Sequence, residues 1–168
     1  METTKEYNKA LCERYPFLIP SNRWSGVRIT EASGGGFWPG SPDAVPNYDY
    51  ERTELDDMPD GWRIAFGEQL CEELKEELVR AGYLDKYRIT QIKEKYGMLH
   101  WYDNGNTKRG NDIISKYVRL SERTCICCGK PATRVTTTWI SPYCDKCCPS
   151  ENSVSIEDWF KEMEEECE

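Results

Sequence analysis

Two pairs of cysteines with the same internal spacing constrain this chain more than any other feature of its sequence. The pairs are Cys125-x-x-Cys128 and Cys144-x-x-Cys147, and fifteen residues separate them. Zn²⁺ prefers four ligands at the corners of a tetrahedron, and each Cys-x-x-Cys turn supplies two thiolates. The spacing therefore predicts a zinc ribbon that holds one Zn²⁺. Because a closed site of four cysteines leaves no open position for water or substrate, we expect a structural ion rather than a catalytic one.

The chain contains nine cysteines, and the other five leave one question open. Cys127 and Cys148 each adjoin a predicted ligand, so the sequence alone allows either to replace its neighbour. Cys12, Cys71 and Cys167 lie in helical patterns and are predicted to be packing or surface residues. A redox pair is the alternative interpretation of a Cys-x-x-Cys turn. One such turn is enough for redox work, so two turns at ribbon spacing favour a metal.

Composition and the amino terminus predict a soluble protein of the cytoplasm. Of the 168 residues, 38% are hydrophobic and 31% are charged, which is typical of one globular domain with a small appendage. The longest apolar runs fall well short of the roughly 20 residues that span a bilayer, so we expect no membrane segment. The first residues, METTKEYNKALCERYPF, lack the apolar core of a secretory signal. Disulfides are therefore disfavoured, because the cytoplasm is reducing.

The order of the predicted elements indicates an α+β fold in three segments. Residues 1–123 are predicted to form a small antiparallel sheet packed on helices, with a long irregular loop at 21–60. The zinc ribbon follows over 124–150, and an acidic helix covers 151–168. The loop contains SGGGFWPGSPDAVPN, whose glycines and prolines oppose regular structure. Because long loops are often functional, we predict that Trp38, near the middle of this one, contacts a partner or ligand.

Apolar residues at helical spacing predict four helices. The first ends at about Arg14, and the third covers 111–123, with Asn111 or Asp112 as its cap and Leu120 among its inward positions. The last begins at a capping box of Ser155 and Asp158. The second covers 61–82, and its polar residues, which include Glu77, are predicted to face water. Its apolar stripe consists of Trp62, Phe66, Leu70, Leu74 and Leu78, and it is predicted to be broadened by Ile64, Cys71 and Val79.

The segment YRITQIKEKYGMLHWYDNGN predicts a β-hairpin with a tight turn at Gly97. Alternate residues of a strand face opposite sides, so Lys93 and Lys95 are predicted to share one face and Tyr96 to take the other. One face is expected to pack on the helix over 62–81. The face of the two lysines would then be available to an anionic partner, or to place a cation over Trp101.

The run ITQIKEKYGMLHWY, followed about twenty residues later by TCICCGKPA, resembles a recurrent family of small proteins of tailed bacteriophages and prophages. The resemblance covers residues 55–148. In that family the hairpin turn is commonly Gly-Gly and the next strand carries an Arg, whereas this chain has Met98 and His100 there. The resemblance implies a phage or prophage origin, and hence a bacterial host cytoplasm, but it implies no reaction.

Charge narrows the class of partner. The formal net charge is −8, and it is distributed as −5 over residues 1–60, +1 over 61–110, +3 over 111–148 and −7 over 149–168. Binding to phosphates depends on clustered Lys and Arg, so an extended nucleic-acid duplex is disfavoured as a partner. Basic and aromatic residues alternate in the middle of the chain, which allows a compact site for a few phosphates. The candidates are Lys93, Lys95, Tyr96, Trp101 and Arg109.

The sequence favours binding over catalysis. Its single histidine, His100, lies in a predicted strand, and the acids around Asp56 and Asp57 are typical of a solvated turn. Our first hypothesis is a protein that antagonises a bacterial defence system by occupying a host protein, with the acidic run EMEEECE imitating nucleic acid. The alternatives are sequestration of a small nucleotide signal and a zinc-ribbon accessory protein that binds nucleic acid. The first hypothesis predicts a large flat complex, and nucleotide sequestration predicts a concave aromatic site.

Overall fold

The fold is α+β, as predicted, in a computed structural model that describes residues 4–21, 28, 49–149 and 151–166. The helices of this part of the chain are α1 (Thr4–Arg14), α2 (Asp60–Trp62), α3 (Glu68–Arg80), α4 (Lys108–Ser121) and α5 (Ile156–Glu166). The strands are β1 (Ile89–Lys95), β2 (Met98–Asp103), β3 (Arg134–Thr136), β4 (Ser141–Tyr143) and β5 (Ser153–Ser155). Short 3₁₀ turns lie at Pro16–Leu18 and Glu54–Asp57. Among these helices, none combines the length and the apolar character needed to cross a membrane.

The predicted helix over 61–82 forms, but a π-helical turn at Arg63–Gly67 separates α2 from α3. The predicted apolar stripe is buried in the main core, from Trp62 to Leu78. The prediction that Ile64 and Val79 broaden it is wrong, because Ile64 lies half a turn away from Trp62 and is 73% exposed, and Val79 is also exposed.

The prediction that Glu77 faces water is also wrong. Its side chain is buried and accepts hydrogen bonds from Arg80 Nε and Nη2, each at 2.7 Å, and from the Thr107 hydroxyl at 2.7 Å. These charge-assisted hydrogen bonds hold the pKa of Glu77 at about 2, below its ordinary value. Helical periodicity favours polar residues outside, but it does not reveal a partner from another element, such as Thr107.

Strands β1 and β2 form the predicted hairpin, with Lys93 opposite His100 and Lys95 opposite Met98. Tyr96 and Gly97 form the turn with φ of +54° and +77°, the left-handed pair that a two-residue hairpin turn requires. The inner face of the hairpin packs on α4 and on the 3₁₀ turn at Glu54–Asp57. Its residues Ile92 and Leu99 belong to the same buried core as α3.

Helix α4 begins before the predicted 111–123. Thr107 is its cap, and its hydroxyl accepts a hydrogen bond from Gly110 N at 2.9 Å. The predicted caps Asn111 and Asp112 are therefore wrong, since both lie exposed inside the helix. The prediction that Leu120 points inward is also wrong, because it is exposed while Tyr117 takes the buried position.

The second sheet has the strand order β4-β3-β5 and forms a smaller core with α5. Strand β5 lies beyond residue 150, so the chain on both sides of the predicted ribbon boundary contributes to one sheet. Ser155 caps α5, as predicted: its hydroxyl accepts a hydrogen bond from Asp158 N at 3.1 Å and donates one to the Asp158 carboxylate at 2.7 Å.

Candidate functional site

The four predicted metal ligands come together in one cluster. The Sγ atoms of Cys125, Cys128, Cys144 and Cys147 all lie within 4.8 Å of one another, and Cys128 Sγ is 3.6 Å from Cys144 Sγ. A tetrahedral ion with metal–sulfur distances of about 2.3 Å requires sulfur–sulfur separations of about 3.8 Å. The donor set and its spacing therefore fit one metal ion bound by four thiolates.

Backbone hydrogen bonds shape each cysteine pair into a tight turn. In the first, Gly129 N donates to Cys125 O at 3.0 Å, and a φ of +76° at Gly129 explains the glycine. In the second, the N–H groups of Cys147 and Cys148 both donate to Cys144 O at 3.0 Å. These turns aim the two sulfurs of each pair at one point.

The cysteines outside the cluster have different surroundings. Among the described residues, the metal-binding group does not include Cys127, which is exposed, or Cys148, which is half-buried. Cys12 and Cys71 are buried in the main core, where burial raises the pKa of both thiols. Cys167 lies outside the described residues. The observed cluster therefore uses the ligand set that the spacing predicted.

Hydrogen bonds also tune the thiols of the second pair. Burial alone would raise the pKa of Cys144, but hydrogen bonds from the backbone N–H of Cys147 and from the Cys128 thiol lower it to about 7. Hydrogen bonds of the Cys147 thiol with Cys144 and Cys128 raise the pKa of Cys147. Metal ligation requires all four cysteines as thiolates, so a bound cation would displace the thiol protons that form these hydrogen bonds.

The metal turn docks directly on α2, which donates hydrogen bonds to backbone carbonyls of the turn. Gly61 N donates to Ile126 O at 2.9 Å, and Trp62 Nε1 donates to Thr124 O at 3.0 Å. A Cβ added at Gly61 would lie 2.6 Å from Ile126 O, and one at Gly129 would lie 2.6 Å from Gly61 O. Both positions therefore require glycine, and the metal centre is held against the start of the helix.

A groove of about 510 Å³ lies between the tips of the two hairpins. The β1–β2 hairpin and the β3–β4 hairpin line it with Glu94, Lys95, Tyr96, Thr137, Thr138, Trp139 and Ile140. Tyr96 is 69% exposed and Trp139 is 75% exposed, the two most exposed aromatic side chains of the described residues. Strand β4 leads directly into Cys144, so the metal centre supports the hairpin that carries Trp139.

The structure brings together only part of the predicted binding set. Lys93 and Lys95 lie on the outer face of the hairpin, as alternation predicted. Tyr96 belongs to the turn rather than to β1, and Lys95 Nζ lies 5.1 Å from its ring centroid. The prediction of opposite faces for Lys95 and Tyr96 therefore does not apply to this pair. Trp38 lies outside the described residues.

Two members of the predicted set lie elsewhere. Trp101 is buried on the inner face, where its Nε1 donates to the Tyr87 hydroxyl at 2.9 Å, so a cation cannot lie over it from outside. Lys93 instead has its Nζ 5.3 Å from the ring centroid of Tyr102, the next residue along β2. Arg109 lies at the start of α4, 3.8 Å from Glu77. Their positions follow from register and helix packing, which local sequence does not specify.

Trp139 is the residue that the sequence analysis missed. It follows the run VTTT, which lies between the two cysteine pairs. A ribbon hairpin must turn near the middle of that interval, and a Trp at such a turn is exposed unless another element covers it. The position midway between the pairs was therefore the signal for this residue.

The acids of the segment ELDDMPDG have structural partners. Glu54 accepts a hydrogen bond from Ser21 N at 3.2 Å, and Asp56 accepts one from Thr53 N at 2.6 Å and pairs with Arg63. His100 lies on the outer face of β2, with its Nδ1 3.3 Å from the Tyr102 hydroxyl. Glu54 and Asp56 therefore have structural roles in the fold.

Comparison with known proteins identifies no similar protein. The chain matches no protein-family model, no curated protein and no solved structure. The interpretation of the metal centre and of the groove therefore depends on their own geometry.

Proposed function

We propose that this protein acts by binding rather than by catalysis, and that its ligand is a nucleotide held in the groove between the two hairpins. The observation that carries the proposal is the pair of exposed rings, Tyr96 and Trp139, at the edges of one concave site. A volume of about 510 Å³ suits a small ligand, since such sites usually enclose about 300–1,000 Å³. Aromatic rings exposed to water at a groove are suited to stacking on a base.

The polar groups of the groove support a phosphorylated ligand. Lys95 Nζ lies over one face of the Tyr96 ring, 5.1 Å from its centroid, so a nucleotide that stacks on the other face would have a cation near its phosphate. Glu94, the acid of the groove, accepts a hydrogen bond from Gly97 N at 2.7 Å and is thereby engaged with the turn. Thr137 and Thr138 add hydroxyl groups for a sugar or a base edge.

The metal in this proposal is one structural Zn²⁺. Four thiolates in a tetrahedral arrangement are the ligand set of structural zinc sites. Its role is to hold the β3–β4 hairpin, and with it Trp139, beside the tip of the first hairpin. Binding and metal content are therefore coupled.

The biological proposal follows from the resemblance of residues 55–148 to phage and prophage proteins. In a bacterial host cytoplasm, a protein that binds a nucleotide would sequester a signal used by host defence. A concave aromatic site favours this function over the occupation of a host protein, which requires a broad flat surface. The net charge of −8 further disfavours an extended duplex as the ligand.

The test is calorimetric titration of the zinc-loaded protein with a panel of mononucleotides and cyclic dinucleotides. Trp139→Ala and Tyr96→Asn should each weaken binding roughly 5- to 150-fold, the equivalent of about 1–3 kcal/mol of stacking. Asn is chosen at position 96 because it tolerates a positive φ. Leu120→Ala, which removes an exposed apolar side chain from α4, is the control and should bind as the wild type does.

Two results would refute the proposed function. One is that no nucleotide of the panel binds at millimolar concentration. The other is that both ring variants bind as tightly as the Leu120→Ala control.

A further inference from the structure

The outer face of the β1–β2 hairpin continues from the groove and has a distinct composition. Because Lys93 pairs with His100 and Gln91 pairs with Tyr102, these four residues share that face, and Lys95 and Met98 extend it to the tip. Ile92 and Leu99, on the other face, are buried in the core. The outward positions from 91 to 102 therefore contain two cations and two rings, and none of them is acidic.

Rings and cations alternate on this face. The rings of His100 and Tyr102 are stacked, with centroids 6.0 Å apart and an angle of 22° between their planes. Lys93 Nζ lies over the Tyr102 ring at 5.3 Å, and Tyr102 is 42% exposed. A ring beside a lysine is the local arrangement found again at the tip, where Lys95 lies over Tyr96.

The outer face and the groove meet at Lys95. Lys95 belongs to both, since it lies outward on β1 and also lines the groove. A strand rises about 3.4 Å per residue, so Tyr102 lies about 14 Å along the strand from Met98 at the tip. A single nucleotide stacked between Tyr96 and Trp139 does not span this distance, whereas a chain of several nucleotides does.

The charge of the surface points to a polyanion. Among the described residues, neither Lys93 nor Lys95 forms an ion pair, although the whole chain has a net charge of −8. We propose that the ligand of the groove is a single-stranded nucleic acid of several nucleotides, which runs from Trp139 along the outer face of the hairpin to Tyr102. This inference rests on the proposed function and names the ligand of the same site.

A single strand fits these residues better than a duplex does. Rings such as Tyr102 and Trp139 stack on the faces of bases, and a duplex keeps those faces covered by neighbouring base pairs. Duplex binding also depends on many phosphate contacts, whereas this surface offers two lysines. An acidic protein segment would use the lysines but would have no use for stacking on the rings.

The experiment is a length series that compares thymidine monophosphate with oligothymidylates of two, four and eight nucleotides. Affinity of the zinc-loaded protein should rise at least tenfold from the monophosphate to the octamer. Tyr102→Leu should weaken octamer binding roughly 5- to 150-fold. It should leave the affinity for the monophosphate unchanged, because Tyr102 lies outside the groove. Tyr7→Leu, at an exposed tyrosine on α1, is the matched control and should change neither.

Salt and charge reversal give a second measurement. Two phosphate contacts to a single strand predict that octamer affinity falls about sevenfold between 50 and 200 mM salt. Lys93→Glu with Lys95→Glu should abolish this dependence and weaken the octamer. Lys86→Glu with Lys108→Glu makes the same change in net charge at exposed positions outside this face. This control should retain the octamer affinity and the salt dependence of the wild type.

The results separate this inference from the proposed function. If the monophosphate binds and affinity does not rise with length, the single-strand inference is refuted while the nucleotide groove stands. If neither the monophosphate nor any oligonucleotide binds, both are refuted. Thermal denaturation first shows that Tyr102→Leu is folded. If that variant then binds the octamer as tightly as Tyr7→Leu does, binding of the strand along the outer face of the hairpin is refuted. Displacement of the octamer by polyglutamate of equal total charge would also refute it.

Discussion

Gly61 lies where the metal turn meets α2, and its replacement by alanine measures how tightly the two are joined. Its N–H donates to Ile126 O at 2.9 Å. An added Cβ would overlap the carbonyl oxygen of Cys125 and would lie 2.6 Å from the carbonyl carbon of Ile126. These atoms belong to the backbone of the metal turn, so they cannot rotate away as the end of a side chain can. The helix and the turn must therefore separate.

The magnitude follows from three contributions to the free energy of unfolding. Overpacking of a close contact costs about 1–3 kcal/mol, and a weakened buried hydrogen bond costs about 1 kcal/mol. Alanine is favoured over glycine in a helix by about 1 kcal/mol, which opposes the other two. Gly61→Ala should therefore lower the free energy of unfolding by about 1–3 kcal/mol. For a chain of this size that corresponds to a fall in Tm of roughly 2–12 °C.

The assay is urea denaturation of the zinc-loaded protein, followed by circular dichroism. Gly67→Ala is the matched control, because an added Cβ there would meet no atom closer than 3.5 Å in the same helical stretch. That variant should be more stable than the wild type by up to about 1 kcal/mol. If Gly61→Ala is as stable as Gly67→Ala, the close contact between the metal turn and α2 is refuted.

Two further predictions concern the metal centre and the buried carboxylate. We expect elemental analysis to find one zinc ion per wild-type chain and none in Cys147→Ser. The variant should also exchange amide hydrogens faster over the carboxy-terminal third, because structural zinc contributes roughly 10–16 kcal/mol in small modules. Glu77 has a pKa depressed to about 2, so its contribution to stability is present above pH 4.5 and is lost as pH falls towards 2. Glu77→Gln should therefore be less stable than the wild type at pH 7 and should lose less stability over that acidic range.

Each of these predictions has a neighbouring control. Cys148→Ser should retain the zinc ion, because Cys148 lies outside the metal cluster. Glu76→Gln, at an exposed position of α3, should leave the acid sensitivity of the wild type unchanged. Retention of zinc by Cys147→Ser, or equal acid sensitivity of Glu77→Gln and the wild type, would contradict the assignments.

Features that depend on a few neighbouring residues were predictable from the sequence. The ligand set of the metal centre is one, because two residues between cysteines suit a tight turn that aims both sulfurs at one point. The turn at Tyr96–Gly97 is another, since glycine there permits a positive φ. The cap of α5 is a third, since the hydrogen bond from Asp158 N to the Ser155 hydroxyl closes within a single helical turn.

Features that depend on distant partners were decided by the tertiary structure. Glu77 is buried because Thr107, thirty residues away, brings a hydroxyl to it. The groove exists because the ribbon docks on α2 at Gly61 and thereby places Trp139 near Tyr96.

The sequence by itself determined the metal ligands, the hairpin and the α+β class, since local spacing and turn chemistry dictate them. Which faces remain exposed was decided only by the tertiary structure. The alternation of β2 separates Trp101 from Tyr102, but only docking on α4 decides that Trp101 is buried and Tyr102 is exposed. The physical reason is that burial depends on which elements meet, and that depends on contacts between residues far apart in the chain.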